Sequence, residues 1–180
     1  MTQNAGQDKP NGMGRVMIVL TWVLTIALFT YLFNDILIER FNPNQDPKSV
    51  VGPAGEREVI LARNAQGHYV ANGFINGRRV TFLVDTGATD VAIPESLADQ
   101  LGLPRMRGGF GQTANGTVAV WGTQLDSVQL GSLRLRDVRA SIMPSMGDDV
   151  PVLLGMSFLK QLELVQRDGE LTLRQLRDAG

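Results

Sequence analysis

Phe82-Leu83-Val84-Asp85-Thr86-Gly87-Ala88 is the stretch whose reading decides the fold. Three apolar residues run into a carboxylate, a hydroxyl and a glycine. The apolar run predicts the end of a strand covered on both faces. Gly87 permits a sharp turn that a side chain would resist. A carboxylate at the end of a buried strand is costly to ionise unless it is paired or hydrogen-bonded, which makes Asp85 a candidate for acid–base chemistry. The same residues admit a plainer reading, an Asp that opens a turn and bonds its own backbone. The tripeptide alone leaves both readings open.

Further along, Pro151-Val152-Leu153-Leu154-Gly155-Met156 is a second apolar run ending in glycine, followed by a short helical pattern over 157–162. Between the two lies 107–120, RGGFGQTANGTVAV, whose arms flank Asn115-Gly116, a favoured hairpin turn. Its glycines are no phosphate loop, because the Gly-Lys-Ser/Thr ending is missing and no helix pattern follows. Asp-Thr-Gly-Ala, then a glycine-rich hairpin, then apolar-apolar-Gly: this order resembles the retroviral-type aspartic proteases, most of all their bacterial membrane-anchored relatives. The resemblance covers roughly residues 59–173.

The resemblance implies an all-β domain, a closed acid-protease barrel with one or two short helices, that hydrolyses peptide bonds of a protein substrate. It implies that Asp85 is the catalytic carboxylate and that Thr86 reaches across to a partner loop. Gly87 would let backbone approach the catalytic pair, and Ala88 matches the small residue of the family. Residues 152–155, with Leu154 and Gly155, would pack behind the Asp85 loop. The hairpin would be a mobile flap that closes over substrate, carrying Gly109, Phe110, Gly111, Thr113, Asn115 and Gly116. Read without the resemblance, that hairpin is an ordinary surface element. The chemistry requires no metal and no organic cofactor.

Hydrolysis by carboxylates needs two roles at once: one ionised group takes a proton from water, and one protonated group donates to the scissile carbonyl. Two carboxyls in contact share a proton and titrate as a pair. The chain holds a single Asp-Thr-Gly; Asp126, the nearest rival, is followed by Ser127 and then Val128. A second catalytic Asp must therefore come from a second copy, which implies a two-fold homodimer with Asp85 of each subunit at the axis.

Composition narrows the alternatives. The 180 residues suit one ordinary domain with an appendage. A formal net charge of -1 makes no electrostatic case for nucleic acid. No cysteine is present, which excludes thiol catalysis, disulfides and cysteine metal sites. His68 is the only histidine, which argues against a zinc enzyme and against a serine triad in a chain with no Gly-x-Ser-x-Gly elbow.

The expected organisation begins with a polar disordered tail over 1–15. Residues 16–33, VMIVLTWVLTIALFTYLF, carry no charge and no polar stripe. At about 1.5 Å per residue this run nearly matches the hydrocarbon thickness of a bilayer. A cleaved signal peptide is the rival reading, but the run exceeds a usual signal core and no small-x-small site follows it. We read it as an uncleaved single-span anchor. Lys9 and Arg15 precede the span while Arg40 and Lys48 follow it, so the charge bias is slight. It leans towards a cytoplasmic N-terminus and a periplasmic catalytic domain at a bacterial inner membrane. Residues 34–57, with Pro43, Pro47, Pro53, Gly52 and Gly55, read as a linker with no core to bury. The protease domain is expected over 58–174, and 175–180 as a tail.

Within the domain, strands are expected over 59–61, 68–75, 78–85 and 90–93, with Asn76-Gly77 as the strongest hairpin signal. Pro94 opens a helix through Leu101, capped by Gly102. Residues 118–130 alternate with a break at Gly122, and Arg134, Arg136 and Arg139 form the solvated face of the next strand. Asp168-Gly169 turns a closing hairpin. Two other functions stay in view: a module of the same barrel that grips a peptide without cutting it, and a monomeric β-domain in which Asp85 is only a turn residue.

Overall fold

The computed structural model describes residues 12–53, 55–113 and 116–175. The start of the expected tail at 1–11, the hairpin-tip residue Asn115 and residues 176–180 lie outside them. The chain divides into two compact units, one ending at Ile38 and one beginning at Glu39.

In the first unit the described residues, 12–38, are helical. α1 (Gly12–Phe41) extends past both limits of the expected span, which places 12–15 in helix. It is long and apolar enough to cross a membrane. The side chains of 16–33 are exposed on every face, so this is not the half-buried helix of a soluble core. Thr21, Thr25 and Thr30 donate their hydroxyls to the carbonyls of Met17, Thr21 and Ile26, one turn back. The three hydroxyls are thus satisfied within the helix itself.

The second unit is built of strands with two short helices, as expected of an all-β domain. β1 (Lys48–Val51), β2 (Arg57–Ala62), β11 (Glu170–Gln175) and β10 (Glu163–Arg167) form one antiparallel sheet in the order β1-β2-β11-β10. The larger sheet runs β3-β4-β9-β5-β8-β7-β6. Its members are β3 (Val70–Ile75), β4 (Arg78–Val84), β5 (Val91–Pro94), β6 (Gly108–Thr113), β7 (Gly116–Leu130), β8 (Leu133–Met143) and β9 (Val152–Leu154). β3 also pairs with β7, so the sheet bends back on itself. Phe82, Ile93, Leu125, Ile142, Leu154, Phe158 and Leu173, drawn from both sheets and the helix after β9, are fully buried in one apolar core. Removing one such aromatic side chain costs about 3–5 kcal/mol.

Local chemistry explains the turns. Asn76 and Gly77 take φ of 49° and 80°, the two left-handed residues of a tight hairpin. Asp168 and Gly169 do the same between β10 and β11. Pro94 caps α2 (Glu95–Gln100) from just outside its first turn, where its fixed φ and missing N–H cost nothing.

Three expectations change. Residues 34–57 are not a bare linker. The helix runs on to Phe41, Asn42 and Asn44 are buried, and β1 pairs with β2. The Asn44 side chain donates to the carbonyls of Ala62 and Val70 and accepts the N–H of Ala62, so one amide joins β2 to β3. Second, the break at Gly122 is one of face and not of pairing: Gly122 pairs with Ser141, while the inward positions pass there, as expected, from Val118 and Val120 to Thr123 and Leu125. The inward face changes again further on, to Val128 and Leu130. β8 changes in step, from Leu133 and Leu135 to Val138, Ala140 and Ile142. Asp137, at φ 54°, sits at the switch, and such a local bend lets a long ribbon turn a corner between layers. Third, Arg139 is exposed but not merely solvated, because it pairs with Asp90.

Candidate active site

Strand order sets the geometry around Asp85. β9 lies between β4 and β5, parallel to β4 and antiparallel to β5. The connection from β4 to β5, residues 85–90, must therefore arch over the end of β9. Phe82 pairs with Val152, Leu83 with Leu153 and Val84 with Leu154, so the two apolar runs of the sequence are neighbouring strands. The N–H of Asp85 donates to the carbonyl of Leu154 at 3.2 Å.

Gly155 follows at the point the arch passes over. A Cβ there would collide with the Asp90 carbonyl and lie 2.7 Å from that of Ala88. Only glycine lets the two backbones approach so closely. The N–H groups of Met156 and Ser157, in α3 (Met156–Leu159), donate to the carbonyls of Ala88 and Thr89 at 2.8 and 2.9 Å. The arch is thus held from below by backbone.

Above it, Asp85 Oδ1 accepts the N–H of Gly87 at 2.8 Å, and the Asp85 carbonyl accepts that of Ala88 at 3.3 Å. The plainer reading of Asp85 as a turn residue is therefore correct as local structure. It leaves Oδ2 without a hydrogen bond among the described residues. Leu83, Val84 and Asp85 are half-buried and Thr86 and Gly87 are exposed, so the strand end is not covered on both faces as the apolar run suggested. The tripeptide forms an open rim on this chain.

Asp85, Thr86, Gly87, Ala88, Leu154 and Gly155 are brought together in one cluster. Gly109, Phe110, Gly111, Thr113 and Gly116 lie on the β6–β7 hairpin, whose strand β7 is joined to β4 through β3. Gly109 and Phe110 are exposed, Phe110 by 82%. Thr113 pairs with Gly116, so Gly116 is the first rung of β7 and not a residue of the turn itself. Trp121, half-exposed, lies against Gly108 near the base of the hairpin. Sequence reasoning passed over Trp121, since nothing marked it apart from a core aromatic. It also missed Ser157 and Arg139, which contact the arch from other elements. His68 is exposed and, among the described residues, bonds through its backbone: its N–H donates to the Asn64 side chain and its carbonyl accepts the Asn64 N–H. Among the described residues no three His, Asp or Glu side chains gather as metal ligands would.

With this geometry established, similarity to known proteins can be stated. The family model described as "gag-polyprotein putative aspartyl protease" matches residues 71–161, half of the chain and all of the arch, hairpin and β9. A Sinorhizobium protein known as the uncharacterized protein in the cobV 5′ region is 34% identical over 124 residues, 67% of this chain and 53% of its own length. An uncharacterized protein of Rickettsia prowazekii is 30% identical over 119 residues, 64% of this chain and 50% of its own. The chain spans about half the length of the curated relatives it matches. The crystal structure of a retropepsin-like aspartic protease from Rickettsia conorii superposes with a TM-score of 0.56 at 31% identity, over 72% of this chain and 96% of that one.

Proposed function

This chain belongs to the retropepsin-like aspartic proteases, the gag-polyprotein aspartyl protease family, and from that premise we propose that it is a membrane-anchored aspartic endopeptidase whose catalytic pair is Asp85 from two copies. The observation that carries the reading is the open rim. Asp85 is oriented by one oxygen and presents the other on an exposed surface braced by Gly155. A second rim related by a two-fold axis would cover that surface and supply the second carboxyl.

In the pair, the ionised Asp85 takes a proton from water while the protonated one donates to the scissile carbonyl oxygen. Water oxygen bonds to the carbonyl carbon, giving a gem-diol. The carboxyl that took the water's proton then passes it to the leaving nitrogen as the C–N bond breaks, a gem-diol hydroxyl returns its proton to the other carboxylate as the C=O bond re-forms, and the pair is again singly protonated. Thr86 flanks each carboxyl, Leu154 and Gly155 hold the arch, and the hairpin around Gly109, Phe110, Gly111 and Gly116 contacts the substrate. The substrate is an extended segment of protein, since main-chain pairing along a strand edge suits a β-barrel cleft.

The length of α1 and its internally bonded threonines support a single span. Confinement to a surface raises the effective concentration of two copies. We place the domain in the periplasm of a bacterium, with Lys9 and Arg15 on the cytoplasmic side. The cysteine-free chain allows a clean check: Gln66→Cys labelled in intact cells by a membrane-impermeant maleimide supports this side, and labelling only after lysis opposes it.

The deciding experiment incubates the full chain in detergent with casein from about pH 4 to pH 7, beside Asp85→Asn. Asn keeps the Oδ1 acceptor for Gly87, so the fold should persist. Loss of cleavage by about 10²–10⁴ supports the reading; equal cleavage by both removes Asp85 from the mechanism. Peptide binding without cleavage by the parent would make the domain a binding module.

A further inference from the structure

The start of β5, just past the arch, is fastened by one buried hydroxyl. Ser157 is 7% exposed. Its Oγ accepts the N–H of Val91 at 3.0 Å and donates to the carbonyl of Arg139 at 2.7 Å. β5 and β8 are parallel, and Val91 is the rung partner of Ala140, the residue after Arg139. The Ser157 hydroxyl, from α3, therefore bridges β5 and β8 at their first rung. A second link closes the circuit: Arg139 Nε binds Asp90 Oδ1 at 2.7 Å, one residue before Val91.

We propose that Ser157 is a positioning residue for the Asp85 pair. The bridging hydroxyl sets where the arch 85–90 ends, and with its start pinned to Leu154 this fixes how Asp85 is presented to its counterpart. The inference rests on the protease reading. Without the hydroxyl, Val91 either keeps a buried, unmatched N–H or moves to Arg139 and draws the arch with it.

The test compares the full chain with Ser157→Ala and Ser157→Thr. For Ser157→Ala we expect kcat to fall about tenfold with KM within about twofold. The bell of kcat/KM against pH should narrow, because carboxyls that drift apart couple less strongly. Ser157→Thr, which keeps the hydroxyl, should recover most of the rate. Amide exchange over 85–91 should quicken about tenfold in Ser157→Ala while 57–62 and 170–175 stay as in the parent. Unchanged kinetics, or exchange that quickens equally everywhere, would overturn the proposal. If Ser157→Ala does not fold, Arg139→Gln at an exposed side chain carries the test: local quickening over 85–91 supports the clamp and none overturns it. A parent that cleaves nothing defeats the protease reading instead, while exchange still decides whether the arch depends on Ser157.

Discussion

Gly155 and Asp90 touch through their backbones: a Cβ on Gly155 would collide with the Asp90 carbonyl oxygen, and Ala88 closes the other side at 2.7 Å. Neither neighbour is a flexible side-chain end, so neither can swing away. Gly155→Ala must push the arch off β9. We expect a loss of about 1–3 kcal/mol, as for other overpacked sites. Cleavage should fall further than that loss alone explains. Thermal unfolding beside casein cleavage checks both; a stable, fully active Gly155→Ala would show that the arch can move without consequence.

Asn44 joins β2 to β3 through its side chain, and its backbone carbonyl accepts the N–H of Asn72. Asn44→Ala removes a partner from the buried Val70 carbonyl, at about 1–3 kcal/mol, and from the exposed Ala62, where water can substitute. Urea unfolding should show a lower midpoint at unchanged slope. A fragment beginning at residue 48 should be less stable than one beginning at Glu39. Equal midpoints would return 39–47 to the status of a linker.

Arg174 on β11 binds Glu58 on β2 and Glu163 on β10, across the width of the smaller sheet. Its guanidinium is raised above the usual value first by the hydrogen bond to Glu58, then by the charge of Glu58, and more weakly by Glu163. A raised folded-state value means the stabilisation is present below the unfolded value and is lost only as pH climbs through the folded one, in strong alkali. Arg174→Gln should therefore lower the melting temperature by a similar amount at about pH 6 and pH 9. The gap should shrink in roughly 1 M NaCl, where screening acts within about 3 Å. A gap that salt leaves untouched would mean the arginine acts by packing its stem.

Phe110 stands 82% exposed on β6, where it buries little against the described residues. Phe110→Ser should leave stability within about 0.5 kcal/mol. If the hairpin contacts substrate, kcat/KM should fall about tenfold, mostly through KM. Unchanged kinetics would take the hairpin out of substrate binding.

Much of the architecture was legible because it is written locally. Asn76-Gly77 and Asp168-Gly169 have the backbone freedom their turns demand, and both turns form where expected. The two apolar-to-glycine runs marked the paired strands that frame Asp85. Residues 42–47 were misread because Asn and Pro suggest a loop when seen alone. Only with β2 and β3 on either side does the Asn44 amide have backbone to bind. Arg139 looked like one of three solvated arginines, and Asp90, its partner, lies 49 residues away in the chain.

By itself the sequence determined the elements, the turn chemistry, the apolar helix and the single Asp-Thr-Gly, since each depends on residues within a few positions of one another. The tertiary structure decided how the Asp85 arch is held: Gly155 beneath it, Ser157 bridging Val91 and Arg139, Arg139 returning to Asp90. It also decided that Asp85 stands at an open rim. Those facts depend on which strands become neighbours, and that is settled by burying the apolar faces of the whole domain together, which no local stretch of chain encodes.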